Sequence, residues 1–319
     1  MRLDLDDRGY TARRRAMGTE VSIRAVAPPG DIAAHEIVDD ALAVFAEVEA
    51  ACTRFDPSSP LMTLNRAPDE WGRVPPFCYD ALEAAWQAYE RTQGRFDPRV
   101  LADLVALGYD RSFASIVPDG VPGQAPPRQR LARQRWRPRF RRRDRAVLLG
   151  GAPVDLGGIG KGLAIRWAST VLRATVPDHL IDAGGDCWCG GRSPDGGPWL
   201  VGVEDPHGEA GPRLVLGLCN MASATSSTRV RRWTTGGTAV HHLVDPRTGL
   251  PGGAGLSAVT VVGADPADCE IWSKVLFLEG RHGIAAEAER RGLAAYWVTT
   301  DGHGHASEGL RPFVVWSAR

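Results

Sequence analysis

The chain has 319 residues, 43% hydrophobic and 24% charged, and its 38 basic and 38 acidic residues cancel to a formal net charge of zero. That is ordinary for a globular protein large enough to bury a substantial core, and it gives no global pull toward nucleic acid or an anionic membrane. No apolar run reaches membrane-spanning length, and the acidic first residues, Met1 to Asp7, lack the apolar core of a secretory signal, so a cytoplasmic protein is expected.

In chain order, Thr19 to Val26 alternates apolar and polar residues, which predicts a strand. Asp31 to Ala51 carries Ile37, Ala41, Phe45 and Val48 at helical spacing, with Asp31 as a cap. Tyr79 to Thr92 repeats the pattern with Leu82, Ala85, Trp86 and Tyr89 and ends at Gly94, and a further helix is expected from Pro98. Residues 117–127 are rich in Pro and Gly and read as a loop. The second half alternates strands (146–149, 178–183, 199–203, 213–218, 257–263, 293–299, 312–316) with helices (161–174, 266–278, 281–291). Hairpin-like and crossover spacings together point to an α+β protein with mixed sheets, as one large domain or two intertwined layers.

The cysteines, Cys52, Cys78, Cys187, Cys189, Cys219 and Cys269, form no CxxC pair. Cys187 and Cys189 would share one strand face, a poor zinc spacing, so reduced and mostly buried thiols are expected. Residues 128–145 are Arg-rich and contain Trp136 and Phe140, a combination that could grip phosphates and stack on bases. The rest of the chain is not basic and carries no nucleic-acid fold signature, so solvated edge strands are the expectation and no nucleic-acid or membrane partner is inferred.

Lysine is the scarce residue: only Lys161 and Lys274 stand among the 38 basic positions. Arginine is a planar fork, whereas lysine is a compact point charge that fits a cation-sized hole. Lys161 sits in Val154-Asp-Leu-Gly-Gly-Ile-Gly-Lys-Gly162, which reads as a short strand ending at Asp155, a glycine-rich turn and a helix start. Such a layout brings backbone N–H groups and a helix N-terminus toward an anion. It is neither a P-loop, since Gly162 stands where Ser or Thr should follow the Lys, nor a dinucleotide fingerprint, and a purely structural turn remains open. In His241-His-Leu-Val-Asp-Pro-Arg-Thr-Gly249, an imidazole at 242 beside Asp245 is a candidate general base or a structural hydrogen-bonding pair. Ala222 to Ser227 reads as clustered hydroxyls following a strand, fit to bind phosphate or form a turn. No Gly-x-Ser-x-Gly elbow is present, which argues against serine-hydrolase chemistry.

Taken in order, Met17-Gly-Thr19, Phe55-Asp-Pro-Ser-Ser59 through Leu64-Asn65, Gly94-Arg-Phe-Asp-Pro98, Asp155 to Gly162, Asp182-Ala-Gly-Gly-Asp186, Ala224-Thr-Ser226, His242 to Gly249 and Leu276-Phe-Leu-Glu-Gly280 resemble the ApbE-type FAD:protein FMN transferases. The resemblance spans about residues 15–300. It implies a single ApbE-like α+β domain over 1–319 with a flavin cleft between layers, cleavage of FAD, transfer of FMN to a Ser or Thr of an acceptor protein, release of AMP, and use of Mg2+. Some similar proteins hydrolyse FAD to FMN and AMP instead, and a non-catalytic flavin-binding protein is a further alternative. The resemblance implies His242 as base, Lys161 near the diphosphate, and Met17, Phe55, Asn65, Arg95, Phe96, Asp97, Asp155, Gly184, Gly185, Ser226 and Leu243 around the cofactor. It also implies Gly158, through its carbonyl, and Glu270 as metal ligands. The late metal segment departs from the family's usual Asp-x-x-x-Thr: anchored on Gly280, Glu270 takes the acid's place and Lys274 the threonine's. A register using Asp268 and Trp272 is two residues too far from Gly280. Lysine cannot ligate a metal while charged, so the expectation is that Lys274, held by Glu270 one turn away, replaces part of the metal's charge and takes part in catalysis.

Overall fold

The structure, a computed structural model, describes residues 2–6, 8–28, 30–112 and 134–318. Among these, nine strands form a sheet whose spatial order follows the chain. They are β1 (Arg2–Asp6), β2 (Gly9–Ala16), β3 (Thr19–Ala25), β4 (His179–Ala183), β5 (Asp186–Gly190), β6 (Met221–Ser227), β7 (Leu256–Gly263), β8 (Ala294–Thr299) and β9 (Gly304–Ala306). Every pairing in it is antiparallel. The crossover spacings suggested some parallel pairing; instead each long excursion returns as an antiparallel neighbour, an arrangement the α+β class accommodates by gathering helices on one face.

The helices are α1 (Ile32–Cys52), α2 (Pro60–Asn65), α3 (Pro76–Arg91), α4 (Leu101–Ala106), α5 (Gly160–Leu172), α6 (Pro266–Leu278) and α7 (Gly280–Arg291). Asp31 caps α1 by accepting from the Ala34 N–H (3.0 Å), and α1 buries Val38, Leu42, Phe45 and Val48 at the expected spacing. Three helices line up under strand pairs: α1 on β2 and β3, α5 on β4 and β5, α6 on β6 and β7, with α5 packed between α1 and α6. Period-two alternation then splits the sheet. Val259, Val261, Ala295 and Trp297 face the helices, while Val262, Ala294, Tyr296 and Val298 face a second, three-stranded sheet of Trp199–Glu204, Pro212–Leu218 and Val314–Ser317.

Several local expectations are corrected. Residues 222–227 are not a turn after a strand but strand β6 itself, paired on both edges. Val154 and Asp155 are irregular backbone, not the end of a strand. Of the Arg-rich segment, 128–133 lies outside the described residues, as does the 117–127 loop. In the described part, Trp136 is fully buried and donates from Nε1 to the Leu149 carbonyl (2.7 Å), so it cannot stack on a base. Arg135, Arg141 and Arg142 pair with Glu90, Asp144 and Glu83. Among the described residues no helix is long and apolar enough to cross a membrane.

Two tight turns sit at one end of the sheet. Met17-Gly18 joins β2 to β3 and Gly184-Gly185 joins β4 to β5, and all four residues have positive φ (54°, 72°, 66° and 92°). Two-residue turns with this backbone match the right-handed twist of the flanking strands. Glycine adopts it freely, whereas Met17 does so at a cost of about 1 kcal/mol. A methyl on Gly184 would lie 2.4 Å from Thr19 Oγ1, but on Gly185 it would meet nothing within 4 Å. Gly184→Ala is therefore expected to destabilise by about 2–3 kcal/mol and Gly185→Ala by about 1, measured by denaturant unfolding.

Candidate active site

The site is assembled where these turns, the irregular 154–159 segment and the N-terminus of α5 meet. Asn65, at the end of α2, fixes that segment: its amide accepts from the Val154 N–H (2.9 Å) and donates to the Val154 carbonyl (2.8 Å). Asp155 is then held by the guanidinium of Arg54 (2.6 Å), both side chains being almost fully buried, and accepts from the Gly157 N–H. Arg54 lies over two adjoining rings, its Cζ 4.3 Å from the centroids of both Phe55 and Tyr109, which are 5.8 Å apart. The Phe55 side of this stack is open, with Phe55 42% exposed, and offers a face for a flat heterocycle.

The α5 N-terminus has no side-chain cap of its own. Its Gly162 N–H is met instead by Glu270 Oε2 of α6 (2.8 Å). The two helices touch here, since a methyl on Gly162 would lie 2.6 Å from Ala267 Cα, so this glycine serves helix packing rather than a phosphate cradle. Glu270 Oε1 accepts from both lysines of the chain, Lys274 at 3.2 Å and Lys161 at 3.4 Å. Lys161 also donates to Asp186 Oδ2, and Asp186 Oδ1 accepts from the Thr225 N–H (3.0 Å). Lys161, Glu270, Lys274 and Asp186 thus form one cluster joining α5, α6 and β5.

Glu270 is 1% exposed. Burial pushes its carboxyl up, but the Lys161 and then the Lys274 ammonium outweigh this and hold it down at about 2. For Lys161 burial lowers the pKa, yet Asp186 and Glu270 together leave it raised. Lys274 shifts the other way: burial and the neighbouring Lys161 ammonium lower it against the pull of Glu270. Each contact is worth on the order of 5 kcal/mol of gross Coulomb energy at an effective dielectric of 20. Desolvation removes several kcal/mol per ion, so such a cluster is weak support for the fold and is better explained by chemistry.

His242 completes the site. Its Nδ1 lies 3.3 Å from the Arg231 carbonyl oxygen, which can only accept. The neutral ring therefore carries its proton on Nδ1 and leaves the Nε2 lone pair open. Burial, then the Arg231 guanidinium, then Lys274 push this imidazole well below its ordinary pKa. The hairpin leading to it, Arg232–Thr235 with Thr238–His241, is anchored by the Trp233 Nε1 bond to the Leu107 carbonyl (2.7 Å) after α4.

Of the residues expected from sequence, Lys161, Lys274 and Glu270 make up this cluster, and Gly158, Phe96, Met17 and His242 lie around it. A methyl on Gly158 would lie 3.0 Å from Phe96 and 3.5 Å from Lys274 Cδ, and one on Gly160 3.3 Å from Met17 Cε. Gly184 and Gly185 shape the adjoining turn and donate to Asp182 Oδ1 (3.1 and 3.4 Å). Others are committed elsewhere. Asn65 spends its amide on Val154, Asp97 caps the turn at Pro98 and pairs with Arg99 (2.7 Å), and Ser226 bonds Ser273 on α6 (2.8 Å). Arg95 pairs with Glu279 and Glu287 (both 2.9 Å), and Leu243 is buried in the core. In these five the side chain is already engaged by other parts of the protein. Sequence reasoning missed Arg54, Asp186 and Arg231; Asp186 closes the Asp-Ala-Gly-Gly-Asp motif and could have been read from it.

The Mg2+ implied by the resemblance finds no seat among these side chains. Both oxygens of Glu270 are occupied by two ammoniums and an N–H, and Lys274 has no lone pair to give. Among the described residues no three His, Cys, Asp or Glu side chains gather around one point.

An antiparallel sheet whose end turns and helix N-terminus enclose a buried cation cluster, with a neutral imidazole beside it, defines an α+β protein suited to an anionic ligand. The chain belongs to the ApbE family, whose sequence model matches residues 17–297. A FAD:protein FMN transferase of Treponema pallidum is 25% identical over 328 residues, covering 95% of this chain and 88% of that protein. Proteins of the same name from Haemophilus influenzae (27% over 177 residues) and Klebsiella pneumoniae (33% over 152) match 54% and 47% of this chain. In these two cases the chain spans about half of the relative, 51% and 46%. The crystal structure of the ApbE protein from Thermotoga maritima superposes with a TM-score of 0.81 at 26% identity, covering 96% of this chain and 99% of that one. The apo flavinyl transferase ApbE of Pseudomonas stutzeri, at 20% identity and a TM-score of 0.77, shares the fold.

Removing the charge of Glu270 would leave two ammoniums facing each other. Glu270→Gln is expected to destabilise the protein by about 3–5 kcal/mol at neutral pH, and a Glu270→Gln, Lys274→Met double variant to recover part of that loss in denaturant titrations.

Proposed function

We propose that the chain is a FAD:protein FMN transferase. The observation that carries this reading is the convergence of Lys161 and Lys274 on Glu270 beside an imidazole whose Nε2 has no partner among the described residues. The hydroxyl oxygen of an acceptor Ser or Thr bonds to the flavin-side phosphorus of FAD. The bond from that phosphorus to the bridging oxygen breaks, and AMP departs with that oxygen. His242 Nε2 takes the hydroxyl proton, and burial keeps the ring neutral and ready to do so.

Negative charge grows on the phosphoryl oxygens and the leaving AMP, and fixed cations stabilise it. The two ammonium-bearing side chains are 18% and 20% exposed, buried enough for strong fields yet open to a ligand. The open face of Phe55 would stack a ring of the dinucleotide. The acceptor hydroxyl and the cytoplasmic setting belong to the same proposal, and no step here passes through a metal ion.

Incubation with FAD and a candidate acceptor tests the reading: AMP with a flavinylated acceptor supports it, AMP with free FMN would make the protein a hydrolase, and intact bound FAD would end the enzymatic reading. His242→Asn is expected to slow AMP release by about 10²–10⁴ while FAD fluorescence quenching is retained. Because the folded-state pKa of His242 lies below the usual value, its proton-accepting form persists as pH falls through 6.5. The pH profile of AMP release should accordingly stay flat there and drop only at lower pH; a midpoint at or above 6.5 would remove His242 as the base.

A further inference from the structure

We propose that Lys274 occupies the seat of a divalent cation and supplies its charge, so that this chain binds and cleaves a dinucleotide's diphosphate without a divalent metal. The inference rests on the proposed flavin chemistry and specifies how that site neutralises its substrate.

Position is the first argument. The Lys274 stem runs beside Gly158, where a methyl would lie 3.5 Å from Cδ and 3.6 Å from Cε, and its ammonium ends 3.2 Å from Glu270 Oε1. Those are the two groups to which the resemblance assigns a metal. The second argument is occupancy of donors: Glu270 Oε1 serves two ammoniums, Glu270 Oε2 serves the Gly162 N–H, and Asp186 divides its oxygens between Lys161 and the Thr225 N–H.

Electrostatics gives the third argument. A divalent ion brought up to this cluster would be repelled by two ammoniums, in surroundings dry enough for that repulsion to be strong. Charge balance is already complete, with two cations against the carboxylates of Asp186 and Glu270. Arg231 adds a third cation, close enough to depress His242 and without a carboxylate partner among the described residues.

The remaining valence points at a ligand. Lys274 donates to Glu270 Oε1 and to the Glu270 carbonyl (3.4 Å), and Lys161 to Asp186 and Glu270, so each ammonium keeps one N–H without an acceptor among the described residues. These two N–H groups and the Arg231 guanidinium are donors for phosphate oxygens. An ordinary exposed i,i+4 pair does not describe Lys274 and Glu270, because the carboxylate is 1% exposed.

The test uses the full chain, purified and stripped with EDTA, and reads FAD affinity by flavin fluorescence alongside AMP release. For the wild type, both are expected to agree within about twofold between EDTA and added Mg2+. Lys274→Thr, which restores an oxygen and vacates the seat, is expected to lose affinity in EDTA and regain about tenfold or more with Mg2+. Lys274→Met, which supplies no oxygen, should lose affinity under both conditions. A wild-type affinity or turnover that rises with Mg2+, or a Lys274→Thr variant as tight as wild type in EDTA, overturns the proposal and leaves the transferase reading standing. Tight, metal-independent binding of FAD without AMP release overturns both cleavage without metal and the enzymatic reading. Failure to bind FAD under either condition overturns both readings as well.

Discussion

A single buried carboxylate ties three elements of the fold together. Glu270, on α6, closes the open N-terminus of α5 through Gly162, faces Lys161 from α5, and reaches β5 indirectly because Lys161 also holds Asp186. The same carboxylate holds Lys274 one turn along its own helix. Its oxygen is the acceptor for the Gly162 N–H, and its charge matters because two largely buried ammoniums would otherwise have one carboxylate less between them. The close approach of α5 and α6 that Gly162 permits is therefore also what brings the two lysines to a common point.

Much of the framework was legible in the sequence because its long helices are strongly periodic and α1 carries a capping aspartate. Two of the strands not expected from sequence, β5 and β6, lack the usual local signal. Strand β5, Asp-Cys-Trp-Cys-Gly, is buried on most of its length and shows little polar alternation, and β6 is made of small and hydroxyl residues with little intrinsic strand signal. Both are strands because their neighbours on either side supply the hydrogen bonds, a tertiary decision invisible to a local window. Within the Arg run, Trp136, whose ring could have stacked on a base, is instead one of the largest fully buried side chains.

The candidate site was legible to the extent that its residues were scarce or set in glycine-rich motifs. Lysine stood out because arginine fills every other basic position, and that same bias concealed Arg54 and Arg231 among many arginines of ordinary appearance. Asn65, Asp97 and Ser226, expected around the cofactor, spend their polar atoms on the Val154 backbone, on Arg99 and on Ser273. The distinction needs three dimensions, because a motif records that a residue is required near a site without recording which of its neighbours requires it.

The choice of lysine over arginine at 274 follows from the space available. The stem passes between the Gly158 backbone and Glu270, and Phe96 already stands within 3.0 Å of where a Gly158 methyl would be. A guanidinium needs a planar slot with acceptors on two edges, whereas Glu270 offers one oxygen already shared with Lys161. An ammonium needs only a point contact and still has a proton to direct at a ligand. In a chain that otherwise writes positive charge as arginine, the two exceptions lie where a compact charge must share one carboxylate oxygen and keep a hydrogen free.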